Sequence, residues 1–154
     1  MQLHSEAISD GSTIELTYCE PQCGGSNVSP DLTWSGAPEG TKSYAVTCFD
    51  PDAPTGSGWW HWIAFDIATA QTSLSAGQGP DAPMRQWRND YGYVGYGGPC
   101  PPPGPAHRYV FTVHALDVEK LDVSDEATSA ACRFTLLSHA IDSASFTATF
   151  GLDD

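Results

Sequence analysis

Positive charge is scarce in this chain. Lys42 and Lys120 are its only lysines, and six Lys plus Arg stand against 19 Asp plus Glu, for a formal net charge of −13. Such a field repels phosphate backbones and anionic lipid, so no nucleic-acid partner is expected. Acid surplus with so little lysine suits solubility in concentrated salt, where screening removes self-repulsion, and points to a halophilic source. Long apolar runs are missing too. No segment approaches the roughly 18 apolar residues of a bilayer span, so membrane insertion is not expected. The opening residues Met1-Gln2-Leu3-His4-Ser5-Glu6 carry neither a basic stretch nor an apolar core, so no signal peptide is expected and the protein is expected in the cytoplasm. There is no repeat, and 154 residues suit a single domain spanning 1–154.

Cysteine chemistry is also thin. The five cysteines (Cys19, Cys23, Cys48, Cys100, Cys132) are odd in number and contain no CxxC pair. A disulfide framework is not expected, and free thiols are the default in a reducing cytosol. Cys19 and Cys23 lie close enough in sequence to suggest a bridge or a metal clip, but zinc would need two further ligands. No cofactor is expected.

What is present is apolar, aromatic and turn-rich. Hydrophobic residues make up 40% and charged residues 16%, which suits a packed fold. Fifteen Gly and 12 Pro without period imply many turns and a β-rich architecture. Ile14, Leu16 and Tyr18 alternate with polar residues, the period of a half-buried strand. Ser43 to Phe49 reads as a fully buried strand. Trp60 to Ile67 reads as another, with His61, Ile63, Phe65 and Ile67 on one face and Trp60, Trp62, Ala64 and Asp66 on the other. His107 to Leu116 places His107, Tyr109, Phe111 and Val113 together, opposite Arg108, Val110, Thr112 and His114. Ser145 to Phe150 is a last strand. One helix is expected, capped by Ser124 with Asp125 and Glu126 in its first turn, burying Ala127, Ala130, Ala131, Phe134 and Leu137. Residues 68–106 resist assignment. Their aromatics argue against a linker, because such rings bury large areas.

Three clusters put ionisable groups at strand ends, where sites are commonly built: Asp50-Pro51-Asp52-Ala53-Pro54, Trp59-Trp60-His61-Trp62, and Gly98-Pro99-Cys100-Pro101-Pro102 running on to His107-Arg108-Tyr109. His107 and Tyr109, two apart, can meet one ligand. Arg108 points away and suits a salt bridge that braces a loop. Each cluster also has a plain structural account. Asp-Pro starts turns, a histidine among tryptophans can simply be hydrogen-bonded core, and glycine and proline are turn material. Those glycines also leave backbone N–H groups, such as that of Gly98, free to point at an anion.

In this order, the segments resemble the signature of phosphatidylethanolamine-binding proteins, and the prokaryotic Raf-kinase-inhibitor-like branch most closely. Asn27-Val28-Ser29-Pro30, Leu32-Thr33-Trp34, Asn89-Asp90-Tyr91-Gly92 and Ala115-Leu116-Asp117 look like that branch as well, so the resemblance covers about residues 10–150. It implies an all-β-dominated sandwich with a large antiparallel sheet, a smaller sheet and one or two short helices. It also implies a small anion-binding pocket at one end, built from Asp50, His61, His107 and Tyr109, with the Gly98 N–H and with Asp52 in the same motif. A cis bond at Asp50-Pro51 is implied with it. The chain ends soon after the last strand, without the C-terminal helix that borders the pocket in animal members. The Gln86-Trp87-Arg88-Asn89 segment departs from the family pattern, and kinase inhibition does not carry over on motif evidence.

The first functional expectation is a binding module for a small anionic or phosphorylated ligand, regulating a partner. Asp50 beside His61 or His107 would favour an imidazolium, giving an acidic protein local positive character. The second is an ester or phosphoester hydrolase using Cys100 or a histidine; no GxSxG elbow is present. A third places a metal on Asp50, His61 and His107. Members of the bacterial branch commonly pair, and a sheet edge or the aromatic loop offers a surface for a homodimer.

Overall fold

Strands dominate, as the alternating apolar pattern requires. The computed structural model describes residues 1–153 and contains β1 (Gln2–His4), β2 (Leu32–Ser35), β3 (Ser43–Asp50), β4 (Trp59–Ala68), β5 (Ser73–Leu74), β6 (Arg85–Gln86), β7 (His107–Leu116) and β8 (Ala140–Phe150), with one α-helix, α1 (Ser129–Ser138), between β7 and β8. Two antiparallel sheets result, a small one in the order β1-β2-β5 and a large one in the order β6-β4-β3-β7-β8.

The large sheet is covered on both faces, which is why β3 is buried almost throughout. One face packs on the small sheet through Val46, Cys48, Trp62, Phe111, Val113 and Trp34. The other face packs through Ala45, Ile63, Phe65 and Leu116 onto Cys132 and Leu136 of α1. Burial on this scale stabilises at roughly 25 cal/mol per Å² of apolar surface removed from water.

The outer edge of β8 is occupied at two places. The Gly11 and Ile14 amides donate to the Thr147 and Thr149 carbonyls at 2.7 and 2.8 Å, and Thr149 donates back to Ser12 at 2.9 Å. Further along, the Met1 ammonium reaches Asp142 at 3.2 Å.

The structure corrects several expectations. Leu16–Tyr18 is a 3-10 turn, not a strand, and Leu16 is exposed. The helix begins four residues later than expected. Thr128 is its cap, with Oγ1 accepting from the Ala131 amide at 3.1 Å. Ser124 instead closes a separate turn, its carbonyl accepting from Ala127. The buried stripe is Cys132 and Leu136, four apart and so on one face, and Phe134 stands at 78% exposure. Along β4 two bulges break the alternation. Cys48 pairs with Trp62 and Phe49 with Trp60, so His61 has no partner across the ladder. A second shift lies opposite Ala45, where Asp66 takes a positive φ of 62° and its Oδ1 accepts from the Leu121 amide. His61, Trp62, Ala64 and Ile67 therefore share the side that Ile63 and Phe65 do not.

Candidate ligand site

Three strand segments bring the ionisable groups together. Asp50 ends β3, His61 sits at the β4 bulge, and His107 and Tyr109 open β7, the two strands flanking β3 in the sheet. The bulge turns the His61 ring to the side of Tyr109, with ring centroids 5.2 Å apart. Together they line a cavity of about 360 Å³, closed around its mouth by Trp59, Tyr91, Pro54 and the Cys100–Pro102 tract.

Each polar group has one side committed to the protein. The buried Asp50 carboxylate accepts from the Asp52 and Ala53 amides through Oδ1, at 2.7 and 3.2 Å, and from His107 Nδ1 through Oδ2, at 2.7 Å. His107 therefore carries its proton on Nδ1. His61 Nδ1 likewise donates to the Gly97 carbonyl at 2.6 Å. Both Nε2 atoms are left without a protein hydrogen bond among the described residues. Burial lowers the His61 pKa below the ordinary histidine range, against the opposing effects of the Gly97 carbonyl and Asp50. Its neutral ring therefore offers Nε2 as an acceptor.

Two buried donors in the lining have no partner among the described residues: the Tyr109 hydroxyl and Trp59 Nε1. Unsatisfied buried donors are uncommon because each forfeits its hydration. Burial also raises the Tyr109 pKa far above the usual phenol value, with Asp50 adding to the effect, so the hydroxyl keeps its proton and stays a donor. No Lys or Arg lines the cavity. An imidazole is its only source of positive charge.

The structure thus gathers Asp50, His61, His107 and Tyr109, as the resemblance implies. Other expectations fail there. Asp52 does not line the cavity; it holds Arg108 through the backbone N–H (2.8 Å), Nε (3.0 Å) and Nη2 (2.8 Å). Arg108 thereby lowers the Asp52 pKa to about 2. This is the loop brace expected of Arg108. The Gly98 amide is not free, since it donates to Asn27 Oδ1 at 2.8 Å. Gly98 is glycine for want of space: a Cβ would lie 2.0 Å from the Tyr18 carbonyl oxygen. The Asp50–Pro51 bond is trans, and Asp50 is aimed by its own turn hydrogen bonds instead.

Cysteine chemistry is the largest correction. Cys23 and Cys100 form a disulfide across 77 residues, with Cα atoms 5.5 Å apart. The cysteine expected to pair with Cys23, if any, was Cys19, which is a buried thiol together with Cys48 and Cys132. Sequence proximity misleads here because Cys19 and Cys23 flank a turn, whereas the chain returns from β6 to lay Cys100 beside it. A bonded Cys100 has no thiolate, so in the disulfide form it cannot act as a nucleophile. Among the described residues no group of three or more His, Cys, Asp or Glu is arranged to hold a metal ion, so the Asp50–His61–His107 metal expectation has no cluster behind it.

Trp59, Tyr91 and Gln22 are lining residues that were not singled out from sequence. The first two were visible as aromatics within the Trp59–Trp62 and Asn89–Gly92 motifs. Their placement depends on Asn89, which bonds the Gly95 carbonyl and the Tyr91 amide, and on Asp90, which accepts from the Trp60 amide at 2.7 Å.

Comparison with known proteins shows the family of the chain. The profile of the phosphatidylethanolamine-binding protein family matches residues 4–151. The chain is 45% identical to the UPF0098 protein YbhB of Escherichia coli, covering 97% of this chain and 99% of that one. It is 47% identical to the UPF0098 protein YbcL of the same organism, covering 97% and 86%. The crystal structure of E. coli YbcL superposes with a TM-score of 0.93 at 42% identity, over 99% of this chain and 98% of that one. A homologue from Chlamydia trachomatis does so at 0.85 and 33% identity, over 99% and 97%. The chain belongs to the phosphatidylethanolamine-binding protein family, in the bacterial branch of YbhB and YbcL.

Proposed function

We propose that this chain is a binding protein for a small anionic or phosphorylated molecule, held by Asp50, His61, His107 and Tyr109 in the cavity at the end of β3. The observation that carries the reading is the unpartnered Tyr109 hydroxyl, buried beside two imidazoles whose Nε2 atoms are uncommitted. An oxyanion supplies acceptors for the hydroxyl and for Trp59 Nε1. Protonation of the His61 imidazole supplies the balancing positive charge. His61 is faced by Tyr91 and Tyr109, by the Gly97 carbonyl and, more distantly, by the carboxylates of Asp50 and Asp90. Since its pKa is lowered, its charged form is gained only as pH falls below the ordinary histidine range.

Sulfate is the clean probe, because its charge is fixed across the histidine range. Calorimetric titration from roughly pH 5 to 8 is expected to show affinity rising as pH falls. Absence of sulfate and phosphate binding at every pH would overturn the reading. Tyr109→Phe is expected to weaken sulfate binding about tenfold, the scale of one hydrogen bond to a charged group, without loss of fold, since the hydroxyl has no protein partner to lose.

The Cys23–Cys100 bond bears on where this happens. Disulfides persist in oxidising compartments and are usually transient in the cytosol, so a cytoplasmic protein would cycle this bond. The charge of −13 supports a salt-adapted reading, in which potassium chloride raises the melting midpoint by screening repulsion among carboxylates.

A further inference from the structure

The cavity has two kinds of wall. On one side the residues belong to β3, β4 and β7, fixed by ladder hydrogen bonds. On the other side are Gln22, in the 3-10 turn Pro21–Cys23, and the tract Cys100-Pro101-Pro102. Proline donates no backbone hydrogen bond, and five of the seven residues from 99 to 105 are proline. The backbone of that tract is held by the Pro99 carbonyl, which accepts from Glu20 at 3.1 Å, and by Gly104, which donates to Leu152 at 3.1 Å. Between these two points the tract is held by the buried Pro101 and by the bond to Cys23, the one covalent tether.

Upstream the chain is secured without it. The Tyr96 hydroxyl donates to the Tyr18 carbonyl and the Tyr91 hydroxyl to the Gly98 carbonyl, both at 2.7 Å, and Gly98 donates to Asn27. Cleaving the disulfide frees the rim and leaves these anchors in place. Reagent access favours the same bond. Cys23 and Cys100 are both partly exposed, whereas Cys19, Cys48 and Cys132 are fully buried. Burial pushes the Cys19 and Cys132 thiols up to about 11, which suppresses their reactive thiolate.

We propose that the Cys23–Cys100 disulfide is a redox-operated latch on the ligand cavity, holding Gln22 and the Pro101-Pro102 wall in place when oxidised and releasing them when reduced. A dithiol reductant supplies the two electrons and two protons. One of its thiolates attacks a sulfur of the bond, giving a mixed disulfide and one free protein thiol. Its second thiol then displaces the other cysteine, so the protein leaves with two thiols and the reductant as a disulfide. The effect on affinity rests on the anion-binding reading above; the movement of the rim does not.

The test compares sulfate affinity and amide exchange before and after a dithiol reductant, with alkylation and mass spectrometry to count the freed thiols. The expected result is two labelled cysteines, Cys23 and Cys100. Amide exchange should rise at Gln22, Cys23 and Gly104, unfolding should stay cooperative, and sulfate affinity should fall about fivefold, as when the closed rim drops to about one-fifth of the population. A C23S/C100S double variant should match the reduced protein under both conditions. Equal exchange and equal affinity in the two redox states would overturn the latch. So would loss of cooperative unfolding on reduction, which would make the bond a staple of the whole fold. If even the oxidised protein binds no sulfate, the anion reading fails and local exchange alone decides: faster exchange at the rim supports the latch, and unchanged exchange overturns it.

Discussion

His107 and His114 lie on the same strand, seven residues apart, and face opposite sides of the large sheet. His107 meets the buried carboxylate of Asp50 at 2.7 Å and opens into a cavity. His114 packs toward α1, with only Thr47 Oγ1 in range, at 3.4 Å. Burial holds the His114 pKa down at about 4, so this imidazole is neutral core. The contrast separates burial with a charged partner from burial alone. The first stores a poised polar group, and the second merely fills space. An odd number of residues between two histidines would have put both on one face.

Removing the partner should break the comparison most. Asp50→Ala strips the acceptor from His107 and from the Asp52 and Ala53 amides, at a buried carboxylate. Unfolding by urea is expected to show a loss of about 3–5 kcal/mol, the cost of orphaning one half of a buried pair, together with loss of sulfate binding. A smaller effect is expected from His114, and it depends on pH. Its folded pKa lies below the unfolded value, so the unfolded state takes up the proton first as pH falls. The stability due to its neutral burial is complete above the ordinary histidine value and drains away between there and about pH 4. The total is roughly 3 kcal/mol. His114→Phe should flatten that limb of a pH series of urea midpoints, and an unchanged limb would assign the acid sensitivity elsewhere. Least of all is expected from Arg108→Ala. This fully exposed guanidinium braces Asp52 outside the cavity, so its removal should barely move the midpoint and should leave sulfate affinity intact. A large loss of affinity there would draw the Asp52 loop into the site.

Much of this contrast was legible beforehand. The alternation His107-x-Tyr109-x-Phe111-x-Val113 puts His107 with the inner core and His114 opposite, and β7 has no bulge along that stretch to upset it. The same arithmetic fails in β4. Nothing in Trp60-His61-Trp62-Ile63 marks an inserted residue, because all four types suit a strand, and the bulge appears only when β3 is laid alongside. His61 belongs to the site because of that interruption. The disulfide was hidden for a related reason. Its partners are brought together by the return of a proline tract that has no periodicity to read. Helix α1 was visible as a helix, but Ser124 and Thr128 are both cap residues by type, and the one that caps it is Thr128. Gly98 shows the opposite error. A glycine that seemed to bare its amide to a ligand is there because the chain passes against Tyr18 and Cys19.

The occupied edge of β8 has a consequence for how copies of this chain can meet. A sheet grows by adding a strand to an edge whose amides and carbonyls are unpaired. Residues 11–14 already hold those groups at Thr147 and Thr149, and Met1 sits at Asp142. The N-terminal segment acts as a selvedge that keeps the fabric from being extended on that side. A second copy therefore finds no free ladder groups at Thr147 and Thr149, and pairing through that stretch of β8 would first require residues 11–14 to be peeled away.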